Sequence, residues 1–349
     1  MYYPALTGVR AVAAFLVFVH HYNPVQVAKW PWLHHLLNEM HVGVSLFFVL
    51  SGFLIASLYK NSVFDREGIT LYLKKRFARI FPLWFLLTSL TFGYWFLTKS
   101  NHDYSLNTFL MNLTLLKGFS NELKFTGIGP GWSLTVEETF YLAAPVIFLL
   151  GRKWGWWWQP MVIYGLVLLA FASSPGVLSF QQTSFVLIYT FAGRCFEFYC
   201  GIQLSIWVTR SPTRFSTNPY PWHTWGGFSC MIVCILLMTG LSLSNRISLD
   251  RPAGVLLNNI MLPGAVAWLY FGLMKETSWL SKLLSSALMQ QLGKSSYAFY
   301  LLHAGIIAGL FIEYVSRQPV MVFLFLVFFS WVLYRLVEEP CRKWLCGKS

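Results

Sequence analysis

Apolar segments, each about long enough to cross a bilayer as a helix, follow one another from the first residues of this chain almost to the last. A spanning helix needs about 20 mostly apolar residues. Ten such runs can be marked, at about 5–22, 42–59, 80–98, 132–150, 159–174, 186–208, 226–244, 254–274, 296–315 and 318–337. Only 11% of the 349 residues are charged, against about a quarter in soluble domains. We predict an all-α, polytopic integral membrane protein with one membrane domain over residues 1–349.

The segment 105–119 and the N-terminal run differ from the other apolar segments. The run 105–119 is apolar but short, and Asn107, Asn112 and Lys117 interrupt it, which indicates a re-entrant or interfacial segment. The N-terminus has no basic region before its first apolar run, and that run contains Arg10. We therefore expect it to be retained as the first spanning helix and not cleaved as a signal peptide.

The basic residues indicate the orientation in the membrane. Most lysines and arginines outside the spans fall in alternate loops and the C-terminal tail, whereas a minority, such as Lys29 and Arg251, fall in the others. By the positive-inside rule, both termini face the cytoplasm. The net charge of +13 is dispersed between apolar runs, so it argues for contact with membrane lipids and against a nucleic-acid partner.

The six cysteines indicate neither a disulfide framework nor a metal site. Four lie within apolar runs, and Cys341 with Cys346 lacks a second pair of ligands. We expect small buried or interfacial thiols and no bound metal.

Ionisable residues within the predicted spans are the main functional signal. Inserting one Arg or Asp at the centre of a spanning helix costs about 2.5–3.5 kcal/mol of free energy. Such residues usually mark an ion or substrate pathway or a functional site. Here they are Arg10, His21, Glu137, Glu138, Arg194, Glu197, His303 and, near a membrane end, Glu338. Together they indicate a polar cavity in the bundle. Arg194 and Glu197 are three residues apart, so we expect a structural ion pair.

Arg10 and His21 share one helix face. Eleven residues are about three turns, so the two lie about 16 Å apart along the axis, with His21 toward the exterior. His20 points about 100° away and is the weaker candidate. The spacing is equally consistent with a structural and a catalytic histidine.

Two further segments suggest sites at membrane ends. Arg76 and Arg79 lie three apart, on one helix face, where two guanidinium groups can bind phosphates. Ordinary positive-inside anchoring also explains them, and charge alone favours it. In residues 129–138, GPGWSLTVEE, a turn precedes a helix start that Ser133 can cap. The cap does not explain why Glu137 enters the membrane.

The motifs resemble, in order, those of the membrane acyltransferase 3 family. They are ALTGVRA with His21, GVSLFFVLSGFL at 43–54, Arg76 with Arg79, WSLTVEETFY at 132–141, the segment 292–303 that ends in His303, and VEEP at 337–340. Each motif alone is weak, but the ordered set extends from residue 5 to residue 340. Two departures occur: Ser45 replaces a usual acidic residue, and Glu339 replaces a usual arginine.

The resemblance implies transfer of an acyl group, usually acetyl, from cytoplasmic acetyl-CoA to a carbohydrate hydroxyl. It implies a multi-pass protein of a bacterial cytoplasmic membrane, in the standalone form without a fused extracytoplasmic esterase-like domain. The acceptor would be a cell-surface carbohydrate such as O-antigen of lipopolysaccharide or exopolysaccharide, or a lipid-linked glycan. Which glycan, which acyl chain and which oligomeric state remain open.

The residue roles that follow are expectations. His21 is the general base, and Glu137 orients it, accepts its proton or contacts the acceptor. Arg76 and Arg79 hold the CoA phosphates, and Arg10 positions the donor or stabilises charge. Substrate-binding roles fall to Trp132, Ser133, His303 and Glu338. Direct transfer and an acyl-histidine intermediate are both open.

Two other classes of function fit the same intramembrane residues. A proton-coupled transporter or permease also needs Arg, His and Glu within its helices. A sensor or scaffold of an envelope complex is the third possibility. Release of free CoA would distinguish the enzyme from both.

Overall fold

The computed structural model describes residues 2–62, 64–98, 105–173, 180–211, 220–242 and 247–347, without the side chains of 180–182. All regular secondary structure in these ranges is helical. The α-helices are α1 (Pro4–His21), α2 (Pro31–Asn38), α3 (Gly43–Tyr59), α4 (Arg66–Thr98), α5 (Leu106–Leu113), α6 (Trp132–Trp154), α7 (Trp158–Ala172), α8 (Phe180–Tyr189), α9 (Phe191–Arg210), α10 (Trp222–Leu241), α11 (Pro252–Leu256), α12 (Leu262–Lys275), α13 (Trp279–Leu284), α14 (Ala287–Lys294), α15 (Ser296–Leu302), α16 (Ile306–Tyr314), α17 (Pro319–Leu333) and α18 (Glu339–Cys346).

Eight helical segments in the described ranges are long and apolar enough to span a membrane. They are Pro4–His21, Pro31–Tyr59, Arg66–Thr98, Gly129–Trp154, Thr183–Arg210, Trp222–Leu241, Pro252–Lys275 and Pro319–Cys346. Helices α15 and α16 pass the same test together and meet at an angle of 64°, so they form either a broken ninth span or a re-entrant loop. The all-α membrane class is therefore confirmed.

The ten predicted runs compare with eight such helices, or nine if α15 and α16 form one span, within the described residues. The predicted run at 159–174 corresponds to α7, whose 15 residues extend about 22 Å, against a hydrocarbon core about 30 Å thick. Position 174 of that run, and 243–244 of the run 226–244, lie outside the described residues.

The chain forms two compact units. The first contains residues 1–62 and 143–293, and the second contains residues 63–142 and 294–349. The chain changes unit three times: after residue 62, within α6 and near the end of α14. The prediction of a single domain remains a prediction.

In the first unit, α3 and α9 cross in close contact because glycines line the crossing. A Cβ atom on Gly52 would lie 2.2 Å from the Phe198 carbonyl oxygen, and one on Gly201 would lie 2.1 Å from that of Val49. Small residues allow backbones to approach closely in membranes, where burial of apolar surface gives little driving force. Much of the buried apolar core surrounds this crossing.

Cationic side chains gather at one end of the first unit. Lys60, just after α3, donates to the Ser205 carbonyl oxygen at 2.9 Å and to Thr209 Oγ1 at 2.8 Å. Lys275, at the end of α12, donates to the Ser211 carbonyl oxygen at 3.2 Å. The ends of α3, α9 and α12 thus lie together, at the face that the charge pattern predicts to be cytoplasmic.

In the second unit, α4 is 33 residues long and begins at Arg66, not at the predicted position 80. Arg76 and Arg79 therefore lie on one helix, as predicted, and this helix is continuous with the third predicted span. Tyr297 Oη of α15 donates to the Ile80 carbonyl oxygen at 2.9 Å, and Tyr72 Oη donates to that of Tyr141 at 2.9 Å. These bonds join α4 to α15 and α6.

The segment predicted to be re-entrant is short helix α5 followed by a 3₁₀ turn at Leu116–Phe119. Lys117 is fully buried there, with its Nζ 2.5 Å from the Thr126 carbonyl oxygen and 2.7 Å from that of Ile128. The ammonium group also lies 5.7 Å from the Trp84 ring centroid. Burial lowers the pKa of Lys117 to about 7.

Candidate functional site

Helix α1 carries both Arg10 and His21, as their spacing predicted. His21 Nδ1 lies 2.9 Å from the Val17 carbonyl oxygen, one turn back on the same helix. Because a carbonyl only accepts hydrogen bonds, Nδ1 carries the proton and Nε2 of the neutral ring has the lone pair. The local geometry thus gives His21 the tautomer that a base acting through Nε2 requires.

Three imidazole rings meet at the end of α1. The ring of His20 lies 4.9 Å from that of His21 and 5.5 Å from that of His41, both edge to face. His20 Nδ1 lies 2.5 Å from the Asn38 carbonyl oxygen, which ties α1 to the end of α2. His21 therefore belongs to a cluster and is not isolated among apolar side chains.

Glu39 adds a fixed carboxylate to this cluster. It is completely buried and accepts hydrogen bonds from the Ser248 amide at 2.9 Å, from Ser248 Oγ at 2.6 Å and from Ser242 Oγ. His41 Nε2 lies 3.0 Å from Glu39 Oε2. Four donors around a buried carboxyl group satisfy its oxygens and hold it in one orientation.

Sequence reasoning missed Glu39 and His41. Both fall in a segment that we interpreted as an outer loop, but the structure joins them through a 3₁₀ turn, Glu39–Val42, to the start of α3. A Glu and a His two residues apart, immediately before an apolar run, were the only local signal. The partners that make the group significant, Ser242 and Ser248, are some two hundred residues away.

In the second unit, Arg79 lies among ionisable side chains from three helical segments. They are Glu137 and Tyr141 of α6, Tyr297 of α15 and Glu338. Tyr141 Oη donates to Glu137, one turn away on α6. The guanidinium of Arg76 lies 5.7 Å from the centroid of the Tyr141 ring. The structure thus brings together Arg76, Arg79, Glu137 and Glu338, four of the predicted site residues.

Ser133 is not the helix cap that its position suggested. Helix α6 begins at Trp132, which is partly buried, and Ser133 Oγ donates to the Pro130 carbonyl oxygen at 2.9 Å instead of accepting from an amide. The same hydroxyl lies 2.7 Å from Tyr300 Oη. The hydroxyl is therefore held between the turn before α6 and helix α15.

His303 lies at the break between α15 and α16. It is completely buried, and its Nδ1 lies 2.7 Å from the Tyr300 carbonyl oxygen. Broken helices in membrane proteins are tolerated where they line a cavity, and they often form binding sites. Glu338 ends a five-residue π-helical turn, Tyr334–Glu338, and is 8% exposed. Such turns are also frequent at functional sites.

Arg194 and Glu197 form the predicted ion pair, deep in the first unit. Arg194 Nε lies 2.7 Å from Glu197 Oε2, and Arg194 Nη2 lies 2.8 Å from Glu197 Oε1 and 3.2 Å from Ser45 Oγ. The residue at position 45 therefore faces an arginine whose counter-charge comes from Glu197.

None of these clusters has the arrangement of a metal centre. Within the described ranges, no group of three or more His, Cys, Asp or Glu side chains could hold a metal ion. The histidine cluster at the end of α1 and the side chains around Arg79 are suited to acid–base catalysis and to the stabilisation of charge.

The described part of the chain is thus a polytopic membrane protein with ionisable clusters built into its apolar helices. A family described as an acyltransferase domain matches residues 3–335, and the chain belongs to that family. The resemblance that the motifs suggested is therefore confirmed.

Similar proteins with descriptive names come from Staphylococcus aureus. The O-acetyltransferase OatA of strains NCTC 8325 and COL is 26% identical to this chain over 377 residues, which cover 98% of this chain and 57% of the relative. A second protein of strain COL, with a provisional O-acetyltransferase name, is 24% identical over 98% of this chain and 58% of its own length. The chain thus spans less than three fifths of the curated relatives it matches. No solved structure matches it.

Proposed function

We propose that this chain transfers an acyl group, acetyl in the first instance, from acyl-CoA to a hydroxyl of a cell-surface carbohydrate or lipid-linked glycan. Family membership and the O-acetyltransferase names of the relatives support acyl transfer. The observation that carries the proposal is the cluster at the end of α1, where His21 lies beside His20, His41 and the buried carboxylate Glu39.

In the proposed reaction, His21 is the general base. The acceptor hydroxyl oxygen attacks the thioester carbonyl carbon while its proton moves to His21 Nε2. The carbon–sulfur bond then breaks, the acyl group stays on the acceptor oxygen, and the proton passes to the CoA thiolate. Glu39 stabilises the positive charge that the cluster gains when a histidine is protonated.

The acyl donor, acyl-CoA, contains phosphate groups. We assign Arg76 and Arg79 to the binding of these phosphates. Arg79 is already surrounded by Glu137 and Glu338, so part of its charge is matched within the protein. Arg76 is therefore expected to contribute more to donor affinity than Arg79. Arg10, on the same helix face as His21, is assigned to charge stabilisation or positioning of the donor.

Acceptor binding is assigned to polar and aromatic side chains of the family's motifs. Ser133 with Tyr300, and His303 between α15 and α16, present hydroxyl and imidazole groups of the kind that bind sugars. Trp132, at the start of α6, offers a ring for stacking on a sugar face, and Glu338 and Glu137 can accept hydrogen bonds from hydroxyl groups. The cytoplasmic membrane of a bacterium is the proposed location.

The test combines two readouts. Purified protein in proteoliposomes is supplied with acetyl-CoA and a bacterial glycan extract, and free CoA and glycan-bound acetyl groups are both measured. We expect His21→Ala to lower both by at least about 100-fold, the lower end of what acid–base catalysis contributes. His34→Gln is the control, because His34 contacts the Val25 carbonyl oxygen, outside the cluster. Retention of activity in His21→Ala would overturn the base assignment.

One observation supports a second candidate, a proton-coupled transporter. The 64° break between α15 and α16 is a feature that transporters use to bind substrates at mid-membrane. A transporter consumes no thioester, so glycan-dependent release of CoA by wild type would exclude it as the principal activity. Uptake of a labelled glycan without CoA release would favour it.

A further inference from the structure

A groove runs along the first unit between α9, α10 and α12, away from the histidine cluster. Its volume is about 590 Å³, within the range of sites that hold organic ligands. The walls are aromatic: Trp207 and Trp268, which are 46% and 40% exposed, and Phe271. Gly264 forms part of the lining, and a Cβ atom there would enter open space. The body of the groove is thus suited to a hydrocarbon chain.

One end of the groove is polar and cationic. Arg210, the last residue of α9, lines it and is exposed. His223 of α10 lines it as well, and its Nδ1 accepts a hydrogen bond from Trp268 Nε1 at 3.1 Å. An accepting Nδ1 means that the ring proton is on Nε2, so the imidazole is a donor through its other nitrogen. A guanidinium and an N–H donor at one end form a site for an anion.

Neighbouring charges reinforce this polarity. Lys275 donates to the carbonyl oxygen of Ser211, which itself lines the groove, and Lys60 donates to Thr209, next to Arg210. Glu276 is a nearby carboxylate, and it accepts hydrogen bonds from the backbone amides of His223 and Thr224 at 3.0 and 2.8 Å. The positive charges at this end therefore exceed the negative charge in its immediate surroundings.

We propose that this groove binds an anionic glycerophospholipid. The lipid phosphate contacts Arg210 and His223, and one acyl chain lies against Trp207, Trp268 and the open space at Gly264. The cationic end is the one predicted to face the cytoplasm, where anionic lipid headgroups attract basic side chains. Trp207 lies three residues before the end of α9, and tryptophan near the end of a spanning helix is typical of membrane interfaces. The site is independent of the acyl-transfer function proposed above.

The test is a lipid titration of the purified full chain followed by native mass spectrometry. Phosphatidylglycerol and phosphatidylethanolamine with identical acyl chains are compared on wild type, Arg210→Gln, Gly264→Leu and Lys282→Gln. Lys282 is the matched control, because it is an exposed lysine on α13 at the same predicted face and does not line the groove. Monodisperse size-exclusion profiles confirm that each variant is folded.

We expect phosphatidylglycerol to bind wild type more tightly than phosphatidylethanolamine, and Arg210→Gln to weaken it about tenfold, as loss of a charge-assisted hydrogen bond does. Gly264→Leu should weaken both lipids by occupying the chain path, and Lys282→Gln should change neither. Equal binding of the two lipids, or equal effects of the Arg210 and Lys282 variants, would overturn the proposal. So would displacement by inorganic phosphate together with unchanged binding in Gly264→Leu, because a soluble phosphate would then be the ligand.

Discussion

His41 Nε2 lies 3.0 Å from Glu39 Oε2, and the carboxylate is held from its other sides by Ser242 and Ser248. This arrangement resembles the pairing of a histidine with an orienting carboxylate in hydrolytic triads. If Glu39 stabilises charge on the histidine cluster during acyl transfer, its charge matters more than its shape. Glu39→Gln is therefore expected to lower kcat by ten- to about 100-fold with little change in KM for acyl-CoA.

Two variants separate this role from a structural one. Ser248→Ala removes one hydrogen-bond donor but keeps the carboxylate, so it should cost stability of about 0.5–1.5 kcal/mol while kcat changes little. Glu39→Asp keeps the charge and should recover part of the lost rate. If Glu39→Gln reduced only the yield of folded protein and left kcat intact, Glu39 would be a structural partner of Ser242 and Ser248 and not part of the catalytic machinery.

The ion pair between Arg194 and Glu197 allows a test of its structural role. Both side chains are almost completely buried, so removing one leaves an uncompensated charge in a low-dielectric interior. Arg194→Met and Glu197→Met should each destabilise the protein by about 3–5 kcal/mol, and the double variant by much less than their sum. The measurement is the thermal unfolding midpoint of the four proteins in one detergent. Additive losses would show that the pair contributes through separate contacts.

The close crossing of α3 and α9 predicts that replacing Gly52 destabilises the protein. In Gly52→Ala the new methyl group would meet the Phe198 carbonyl oxygen at 2.2 Å, so the helices must separate. We expect a loss of about 1–3 kcal/mol, as in overpacked cores, seen as a reduced folded fraction in fluorescence size-exclusion chromatography. Gly240→Ala is the matched control, because its Cβ has no neighbour within 4 Å and alanine favours helix. Equal folded fractions for both variants would contradict the close crossing.

Relationships within one helix could be predicted from the sequence, because helical geometry fixes them. The shared helix of Arg10 and His21 and the Arg194–Glu197 pair follow from spacings of eleven and three residues. Apolar run length likewise predicted most of the spans, whereas the bounds of single helices such as α7 are harder to predict because composition is a poor guide to where a helix ends.

Relationships across the fold could not be predicted in this way. Ser133 has the spacing of a cap, but its hydroxyl donates to the Pro130 carbonyl oxygen and lies 2.7 Å from Tyr300 Oη, 167 residues away. Glu39 lies in a predicted loop, and its contacts with Ser242 and Ser248 cannot be seen in the sequence. The contacts with Tyr300, Ser242 and Ser248 depend on tertiary packing and not on local pattern.

Lys117 gives a prediction about pH. Its pKa is lowered to about 7 by burial, against about 10.4 for an exposed lysine in the unfolded chain. Between these values the unfolded chain binds one proton more than the folded protein. The free energy of unfolding therefore rises with pH in this window, by up to about 1.4 kcal/mol per pH unit. From pH 7 to pH 9, wild type should gain about 2 kcal/mol relative to Lys117→Met.

The slope with pH is the informative quantity, because Lys117→Met also loses the hydrogen bonds to the Thr126 and Ile128 carbonyl oxygens at every pH. Lys29→Met serves as control, since Lys29 is exposed, and its profile should run parallel to that of wild type. The measurement is the thermal midpoint at pH 6, 7, 8 and 9 in a single buffer series. If Lys117→Met also ran parallel to wild type, Lys117 would keep its proton throughout, held by the two carbonyl groups and the face of Trp84.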